Sequence, residues 1–305
     1  MIDVGRLRAL DAVASYGTVL AASAALHCTP SAVSQQLGKL ERETGTTLVE
    51  KDGRRLRLTA AGVVLAHHAA RVLAALDEAE SALAAQRDTV TGRVTVAAFA
   101  TACRGLMPRA LHRLAADYPE LRTGLVEGDP HSGLDRLQRG HVDLAVLDDW
   151  PEVALTFPPG ITSTELGLDT ADLVVPTGHR LATSSAPVHR DQLHGERWIA
   201  APPGAICYEW LMRVLPGVEP DFLVGEFETQ LTLVAAGLGV AMLPRLARPT
   251  LPEGVVTVAV SPRPTRRVTV AWREASAARP AIAATLAALR ESWTRSSDAL
   301  SSQAY

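Results

Sequence analysis

The sequence predicts a chain of two parts, a mainly α-helical N-terminal part and a larger α/β part, from three observations. Apolar residues recur with a helical period from Val4 to about Ala85. The composition then changes between residues 87 and 92. From Gly92 onward, short β-branched runs alternate with amphipathic stretches, which is typical of strands and helices that alternate along the chain. At 305 residues, the chain is long enough for two or three domains.

Three short helices joined by tight turns are predicted before residue 45. The first ends at Gly17, which tolerates a left-handed turn, and the second runs from about Val19 to His27. Thr29 can cap the third helix, and Pro30 suits its first turn, where no N–H donor is needed. The apolar side of the third helix carries Val33, Leu37 and Leu40, and its polar side carries Ser31, Ser34, Gln35, Gly38 and Arg42.

The polar side of the third helix has the chemistry of a surface that reads DNA. Short hydroxyl groups and a glutamine can enter the major groove, where glutamine suits the N6 and N7 atoms of adenine. A solvated helix would show the same face, so periodicity alone leaves both interpretations open. The next segment favours DNA, because a basic β-hairpin directly after such a helix is typical of a wing that contacts phosphate. Its turn is Asp52-Gly53, and its basic residues are Lys51, Arg54, Arg55 and Arg57.

A long helix without proline is predicted from Thr59 to about Ala85. Its apolar residues recur near a 3.5-residue spacing, as an antiparallel coiled seam between two chains requires. They are Val63, Ala66, Ala70, Leu73, Ala74 and Leu83. The alternative is a surface helix packed on its own domain, but a length of about 40 Å favours a dimer.

The second part begins with a βαβαβ pattern, which implies a parallel sheet covered by helices. Its strands are predicted at 94–98, 123–127 and 144–147, with helices at 106–118 and 132–140. Further strands and one helix follow between residues 173 and 260, and a strand at 268–272 with a helix at 280–293 would return the chain to the first set. Two lobes around a hinged cleft are therefore expected, with a frayed end from Thr294.

Composition and missing motifs exclude several classes of protein. A formal net charge of −3 is uninformative, because a basic patch on one small domain is offset by an acidic remainder. Neither a secretion signal nor a run of 18 apolar residues occurs, so a cytoplasmic location is expected. Cys28, Cys103 and Cys207 form no CxxC pair, which argues against a metal site. Without GxSxG, GxxxxGK[ST] or HExxH motifs, neither an enzyme nor a cofactor is expected.

A series of spaced Gly, Pro, Ser and Leu residues runs through the first 62 positions. It comprises Gly17-Thr18, Ala21-Ala22, Leu26, the run TPSAVSQQL at 29–37, Leu40-Glu41, Gly45, Leu48, the run RRLRLT at 54–59, and Gly62. In this order the residues resemble the DNA-binding domain of LysR-type transcriptional regulators, and the coarse layout of the whole chain is similar to that family. Two positions depart from the family. Val49 stands where an aromatic residue is frequent and Lys51 where arginine is usual, which reduces bulk and weakens a phosphate contact.

The resemblance implies a mainly α winged helix-turn-helix with a long linker helix, followed by an α/β two-lobed effector domain similar to type II periplasmic binding proteins. The expected domains are 1–58 for the winged helix-turn-helix, 59–88 for the linker and dimerisation helix, and 92–300 for the effector domain, with a tail at 301–305. Lobe I would comprise about 92–160 and 267–300, and lobe II about 161–266.

The resemblance also implies partners and contact residues. One partner is double-stranded DNA, and RNA polymerase is a further partner if the protein is an activator. The chain would also form a homodimer through the linker helix, and two such dimers would form a homotetramer. No contact with a membrane is expected. The residues expected to contact DNA are Thr29, Pro30, Ser31, Ser34, Gln35, Gly38, Lys39, Arg42, Lys51, Arg54 and Arg55.

In the resembling family, a small-molecule effector lies between the lobes, where parallel sheets also bind polar ligands. The expected effector-binding residues are Thr101, Ala102, Glu127, Gly128, Asp148, Asp149, Pro202, Gly204 and Thr229. Acidic residues at 127, 129, 148 and 149 would favour a cationic effector, unless they are solvated or paired with Arg104 and Arg266. Cys103 and Cys207 leave a redox-responsive regulator as an alternative, and a solute-binding protein is a less favoured one.

Overall fold

The structure is a computed structural model that describes residues 2–26, 28–52, 55–85, 89–246, 248 and 250–302. Contacts divide the chain into two compact units, Met1–Thr89 with Arg136–Val142 and Val90–Asp135 with Asp143–Tyr305. Of the helices that the structure describes, none combines the length and the apolar character that a membrane span needs.

The N-terminal unit contains helices and a two-stranded antiparallel hairpin. The elements are α1 (Val4–Tyr16), α2 (Val19–Ala25), α3 (Pro30–Thr44), β1 (Val49–Asp52), β2 (Arg55–Leu58) and α4 (Ala60–Ala85). Side chains of α1, α3 and α4 share one hydrophobic core, to which Leu10, Leu40 and Ala69 belong. The order of elements is the one that the sequence predicts.

Capping residues determine where these helices begin and end. Thr29 Oγ1 accepts a backbone N–H of the first turn of α3 at 3.2 Å, and Pro30 occupies that turn. Thr18 caps α2 in the same way, at 3.1 Å. Gly17 and Gly45 end α1 and α3 with φ angles of 70° and 63°, in the left-handed region that favours glycine. The roles of Gly17, Thr18, Thr29 and Pro30 are predicted from the sequence, and that of Gly45 is not.

A close approach of two backbones fixes the hairpin against α4. Thr59 Oγ1 accepts the N–H of Gly62 at 3.0 Å, and the Thr59 N–H donates to the Leu48 carbonyl oxygen at 3.0 Å. A Cβ atom on Gly62 would lie 2.0 Å from that carbonyl oxygen. Glycine is therefore required at position 62, because any side chain would push the hairpin away from the helix.

Lobe I of the second unit is built on three parallel strands and the strand with which the chain returns. Its strands are β3 (Gly92–Ala98), β4 (Leu121–Glu127), β5 (Leu144–Asp149) and β13 (Thr265–Arg273), and its helices are α5 (Ala100–Gly105), α6 (Met107–Asp117), α7 (Pro130–Gln138) and α10 (Pro280–Ser302). β3 pairs in parallel with both β4 and β5, which confirms the predicted βαβαβ pattern. β13 is antiparallel to β5, so the sheet is mixed.

Lobe II consists of the end of one long strand, several short strands and two helices around a second core. The elements are β6 (Ile161–Pro176), β7 (Val188–His189), β8 (Ile199–Ala200), α8 (Ile206–Val214), β9 (Phe222–Leu223), α9 (Phe227–Ala235), β10 (Ala241–Pro244), β11 (Val255–Val258) and β12 (Val260–Ser261). Trp198, Leu173 and Leu211 lie in this core. One 3₁₀ turn, Arg190–Leu193, precedes β8, and another, Glu274–Ser276, follows β13.

A single strand, β6, carries the chain from one lobe to the other. Residues 161–170 pair with β13, and residues 171–176 pair with β10 and β11. Within the described residues the sheet order is β10-β6-β13-β5-β3-β4, with β11 also on β6. Strand pairing therefore places 161–170 in the sheet of lobe I, whereas lobe II is expected from about 161. Polar residues alternate along the first part of β6, and only its end is apolar enough for the sequence to predict a strand.

Two further elements differ from the prediction. α8 is absent from the elements that the sequence predicts, because its apolar residues follow the breaker cluster Pro202-Pro203-Gly204. α10 continues to Ser302, whereas the sequence predicts that the helix ends at Trp293 and that the chain frays from Thr294. Neither proline nor glycine follows Pro280, so no residue in this stretch breaks the helix.

We expect Gly62→Ala to lower the free energy of unfolding by about 2 kcal/mol or more, because its Cβ overlaps a backbone oxygen that cannot rotate away. The matched control is Gly38→Ala in α3, where a Cβ meets no atom within 4 Å. This control should stabilise the chain by about 0.5–1 kcal/mol. Urea denaturation followed by circular dichroism measures both, and equal effects of the two changes would contradict the packing described here.

Candidate functional site

The outer face of α3 is open to solvent while its inner face is fixed in the core. Val33, Leu37 and Leu40 are buried. On the other side, the residues expected to contact DNA at positions 29, 30, 31, 34, 35, 39 and 42 are exposed, and Gly38 is half-buried. The inward residues thus fix which side chains project outward, as a helix that enters a DNA groove requires.

One carboxylate couples α3 to the hairpin. Glu41 Oε1 accepts the backbone N–H groups of Leu48 at 2.8 Å and of Val49 at 3.2 Å. Thr59 Oγ1 donates to the Thr47 carbonyl oxygen at 2.8 Å, which holds the other end of the hairpin base. The two charge-assisted hydrogen bonds to the Glu41 carboxylate fix the direction in which the hairpin leaves the helix. This role of Glu41 is not predicted from the sequence.

The tip of the hairpin is only partly described. The backbones of Lys51 and Arg55 belong to β1 and β2, but their side chains lie outside the described part of the chain. Arg54 lies outside the described residues altogether. Their predicted contacts with phosphate stay predictions.

A buried ion cluster lies where the chain crosses between the lobes. Arg266 is 1% exposed, and its guanidinium donates to Asp148 on β5 at 3.0 Å and to Asp169 on β6 at 2.7 Å. It also donates to Thr101 Oγ1 on α5 at 2.7 Å and stacks over the Phe99 ring. Burial raises the pKa of Asp148 to about 6, although Arg266 acts in the opposite direction. One cation therefore holds two carboxylates and a hydroxyl group together.

The structure separates the residues expected around the effector. Thr101 and Asp148 meet in the Arg266 cluster, but Asp149 points to the opposite face of β5 and pairs with Arg267 at 2.6 Å. Ala102 is buried in the core of lobe I. Glu127, Pro202, Gly204 and Thr229 are exposed, and Gly128 is half-buried. The acidic residues consequently do not form one common surface.

Directional contacts hold the two lobes together. Asp129 Oδ2 accepts the N–H of Ile206, the first residue of α8, at 3.0 Å. The guanidinium of Arg104 lies 3.3 Å from Glu226 Oε1 and 3.1 Å from Glu228 Oε1. A helix N-terminus that faces another lobe is a site for anions, and here the Asp129 carboxylate occupies it.

An aromatic wall lines lobe II beside the ion cluster. The rings of Trp150 and Trp210 stack with centroids 4.3 Å apart. Both tryptophans line a pocket that also contains Cys207 and Gln230. The Trp150 Nε1 is buried without a hydrogen-bond acceptor among the described residues. A buried donor without an acceptor is costly, so a ligand with an acceptor atom would complete this site.

The cysteines near the cleft are poorly suited to redox chemistry. Burial raises the pKa of the Cys103 thiol to about 11 and that of the Cys207 thiol to about 12. Since the thiolate is the reactive form, both groups are weak nucleophiles at neutral pH. Cys28 is exposed, and it belongs to the N-terminal unit.

Comparison with protein families identifies the chain. Residues 4–63 match the family model described as "Bacterial regulatory helix-turn-helix protein, lysR family", and residues 87–294 match the "LysR substrate binding domain". The chain belongs to the LysR family of bacterial transcriptional regulators.

Relatives extend over most of the chain. The "Uncharacterized HTH-type transcriptional regulator YvbU" of Bacillus subtilis (strain 168) is 27% identical over 275 residues, which cover 88% of this chain and 91% of the relative. The "HTH-type transcriptional regulator CbbR" of Rhodospirillum rubrum is 30% identical over 245 residues, which cover 79% and 78%. The "HTH-type transcriptional activator IlvY" of Salmonella typhimurium is 27% identical over 235 residues, which cover 76% and 78%.

Solved structures share the fold. Full-length OxyR from Pseudomonas aeruginosa matches with a TM-score of 0.74 at 21% identity, over 95% of both chains. Full-length CbnR, solved in complex with its target DNA, matches with a TM-score of 0.60 at 21% identity, over 95% of this chain and all of that chain. These neighbours support the predicted fold class of a winged helix-turn-helix joined to a two-lobed α/β domain.

We expect Arg266→Met to lower the free energy of unfolding by about 3–5 kcal/mol, because it leaves Asp148 and Asp169 buried without their cation. Asp148→Asn keeps an acceptor for Arg266 and should cost no more than about 1 kcal/mol. Arg213→Met, at an exposed arginine of α8, is the control and should change stability by less than about 0.5 kcal/mol.

The pH dependence of the Asp148 variant tests the same cluster. Because the pKa of Asp148 is raised to about 6 from 3.8, the folded chain binds this proton more tightly than the unfolded chain. Acidification from neutral pH towards pH 4 therefore gives a stabilising contribution from this group, and Asp148→Asn should remove it. Melting temperatures of both proteins, measured across this pH range, give the difference, and parallel curves would contradict a raised pKa.

Proposed function

We propose that the chain is a sequence-specific transcription regulator whose N-terminal unit reads DNA and whose two-lobed unit binds a small-molecule effector. The DNA-reading part of this proposal rests on the two faces of α3. Val33, Leu37 and Leu40 are buried on one face, so that hydroxyl, amide and basic side chains are exposed on the other. α3 would enter the major groove, with Gln35 at a base edge and Arg42 at a phosphate.

The hairpin is proposed as the wing that grips phosphate beside α3. Its basic residues include Lys51, Arg54 and Arg55. Glu41 supports this role, because it fixes the base of the hairpin to α3 and so couples the two contacts in space. Because the proposed partner is double-stranded DNA, the proposed location is the cytoplasm. RNA polymerase is proposed as a further partner if the regulator activates transcription. The relatives are transcriptional regulators, so no enzymatic activity is proposed.

We expect Gln35→Ala to relax the preference for one base pair, at a cost of about 1–3 kcal/mol for the preferred sequence only. Arg42→Ala should instead weaken binding to every duplex alike and reduce the slope of log K against log salt by about 0.9. Fluorescence anisotropy with duplexes from the intergenic region upstream of the gene, and with single-base variants of them, measures both effects.

The control for both DNA-binding variants is Arg122→Ala, an exposed arginine in the second unit, which should leave affinity unchanged. If Gln35→Ala weakened all sequences equally, Gln35 would contact phosphate or act on the fold. If the unchanged chain failed to prefer upstream DNA over random duplex, the assignment of a reading function to α3 would be wrong.

We also propose that α4 joins two chains into a dimer and that two such dimers assemble into a tetramer. Val72, Leu76 and Leu83 are 44%, 36% and 67% exposed, and with exposed Ala79 they follow a 4-3-4 spacing. This spacing is that of the apolar seam of a coiled coil. Ala66, Ala70 and Ala74, which the sequence assigns to the seam, are instead buried within the N-terminal unit. The proposed seam is therefore the exposed stripe beside them.

Leu76→Glu should convert the dimer to a monomer, because the change places a charge in the apolar seam. His67→Glu is the matched control, since His67 is exposed on the same helix but points away from the stripe. Size-exclusion chromatography with light scattering measures both masses, and an unchanged mass for Leu76→Glu would place the dimer contact elsewhere.

The effector is proposed to bind between the lobes, beside the aromatic wall and the Arg266 cluster. The buried Trp150 Nε1, for which the described part of the chain supplies no acceptor, supports this proposal. Arg266 offsets one of the two negative charges of Asp148 and Asp169 and binds both carboxylates, so neither carboxylate is free as a direct partner for a cationic effector. The raised thiol pKa values of Cys103 and Cys207 favour a small-molecule effector over a redox signal.

A further inference from the structure

A second pocket lies in lobe II next to the chain crossings. Its cavity volume is about 90 Å³, which is smaller than the roughly 300–1,000 Å³ of typical small-molecule sites, so a ligand of this pocket must be small and reach towards its open mouth. Its walls come from the segment after β5, from α8 and from the segment before β13, represented by Pro151, Trp210 and Pro262. None of Thr101, Asp148 and Arg266 lines it, so it is separate from the ion cluster.

The interior of this second pocket is apolar. Leu193, Leu211, Leu215 and Val260 line it and belong to the buried core of lobe II, while Val214 is half-buried at its wall. Residues of the hydrophobic core thus form the inner wall of the pocket. A molecule that fills it gains by removing apolar surface from water, which requires an apolar body.

The charged residues at the second pocket have an excess of one cation. Glu152 accepts a hydrogen bond from Trp210 Nε1 at 3.1 Å, and its other carboxylate oxygen lies 4.0 Å from Arg190 Nη1. Glu152 therefore compensates Arg190. Arg263 is exposed, lines the pocket, and makes no ion pair with any residue that the structure describes. The lining as a whole carries two guanidinium groups and one carboxylate.

We propose that this second pocket binds a small apolar molecule that carries one negative charge, such as a monocarboxylate. The apolar body would lie against Leu211 and Val214, and the carboxylate would pair with Arg263. Trp210 would report occupancy, since it lines this pocket and also stacks on Trp150 in the wall of the interlobe site. The proposal is independent of the proposed DNA-binding function.

The test uses the full chain and three probes of similar shape, cyclohexanecarboxylate, cyclohexanol and cyclohexylamine. Isothermal titration and the quenching of tryptophan fluorescence give their affinities. We expect cyclohexanecarboxylate to bind at a stoichiometry of one per chain and more tightly than the neutral and cationic probes. Equal or tighter binding of cyclohexylamine, or no binding of the carboxylate at millimolar concentration, would overturn the proposal.

Two variants assign the carboxylate to this pocket and not to the interlobe site. Arg263→Gln should weaken cyclohexanecarboxylate about tenfold, whereas Arg213→Gln, at an exposed arginine on the same lobe that does not line the pocket, should not weaken it. Val214→Trp should fill the pocket and abolish binding. A thermal melt shows whether this variant folds, and if it does not, the comparison of Arg263→Gln with Arg213→Gln decides alone. Unchanged affinity in Arg263→Gln would place the carboxylate elsewhere and refute the proposal.

Discussion

The guanidinium of Arg266 ties together the elements at which the chain passes between the lobes. Its partners lie on β5, on β6 and on α5, and its own strand, β13, is the second crossing. A buried cation is tolerated only when carboxylates and hydroxyl groups surround it, and each of these partners is in turn costly without the cation. The cluster therefore fixes the relative positions of β5, β6 and β13, on which the walls of the interlobe site depend.

The contacts between the lobes depend on the positions of the strands that the Arg266 cluster holds together. Asp129 meets the first N–H of α8, and Arg104 meets Glu226 and Glu228 on the other lobe. An effector that enters must fit beside these contacts or replace them. Since Asp129 supplies a carboxylate to a helix N-terminus, an effector carboxylate would compete for the same N–H group. The difference between the effector's binding free energies for the closed and the open lobes is the free energy available to change the DNA-bound assembly.

The features that could be predicted from the sequence are those that depend on local signals. The caps Thr18 and Thr29, the turn at Gly17 and the two faces of α3 all depend on neighbouring residues, so the sequence predicts them directly. The Arg266 cluster joins residues up to 165 positions apart, and no local pattern specifies that pairing. A signal was nevertheless present, because Asp148 follows the apolar run of β5 and acidic residues are rarely buried without a partner. Pairing with Arg266 is one of the alternatives that the sequence leaves open, and the structure shows that pair. The split of Asp148 from Asp149 follows from strand alternation, once the strand is known to be buried on both faces.

The length and pairing of β6 determine how the two lobes can move. Lobes connected by loops rotate about a few free dihedral angles, but β6 is a sixteen-residue strand with hydrogen-bonded neighbours on either side of the crossing. At the crossing itself, Arg245 N–H donates to the Thr170 carbonyl oxygen at 2.7 Å, and Asp172 binds the guanidinium groups of Arg245 and Arg248. Displacement must then be spread as bending and twist over many peptide units, with an elastic energy that grows with amplitude. Such a domain responds by graded deformation, and a ligand changes its curvature only to the extent that it binds the bent form more tightly than the relaxed form.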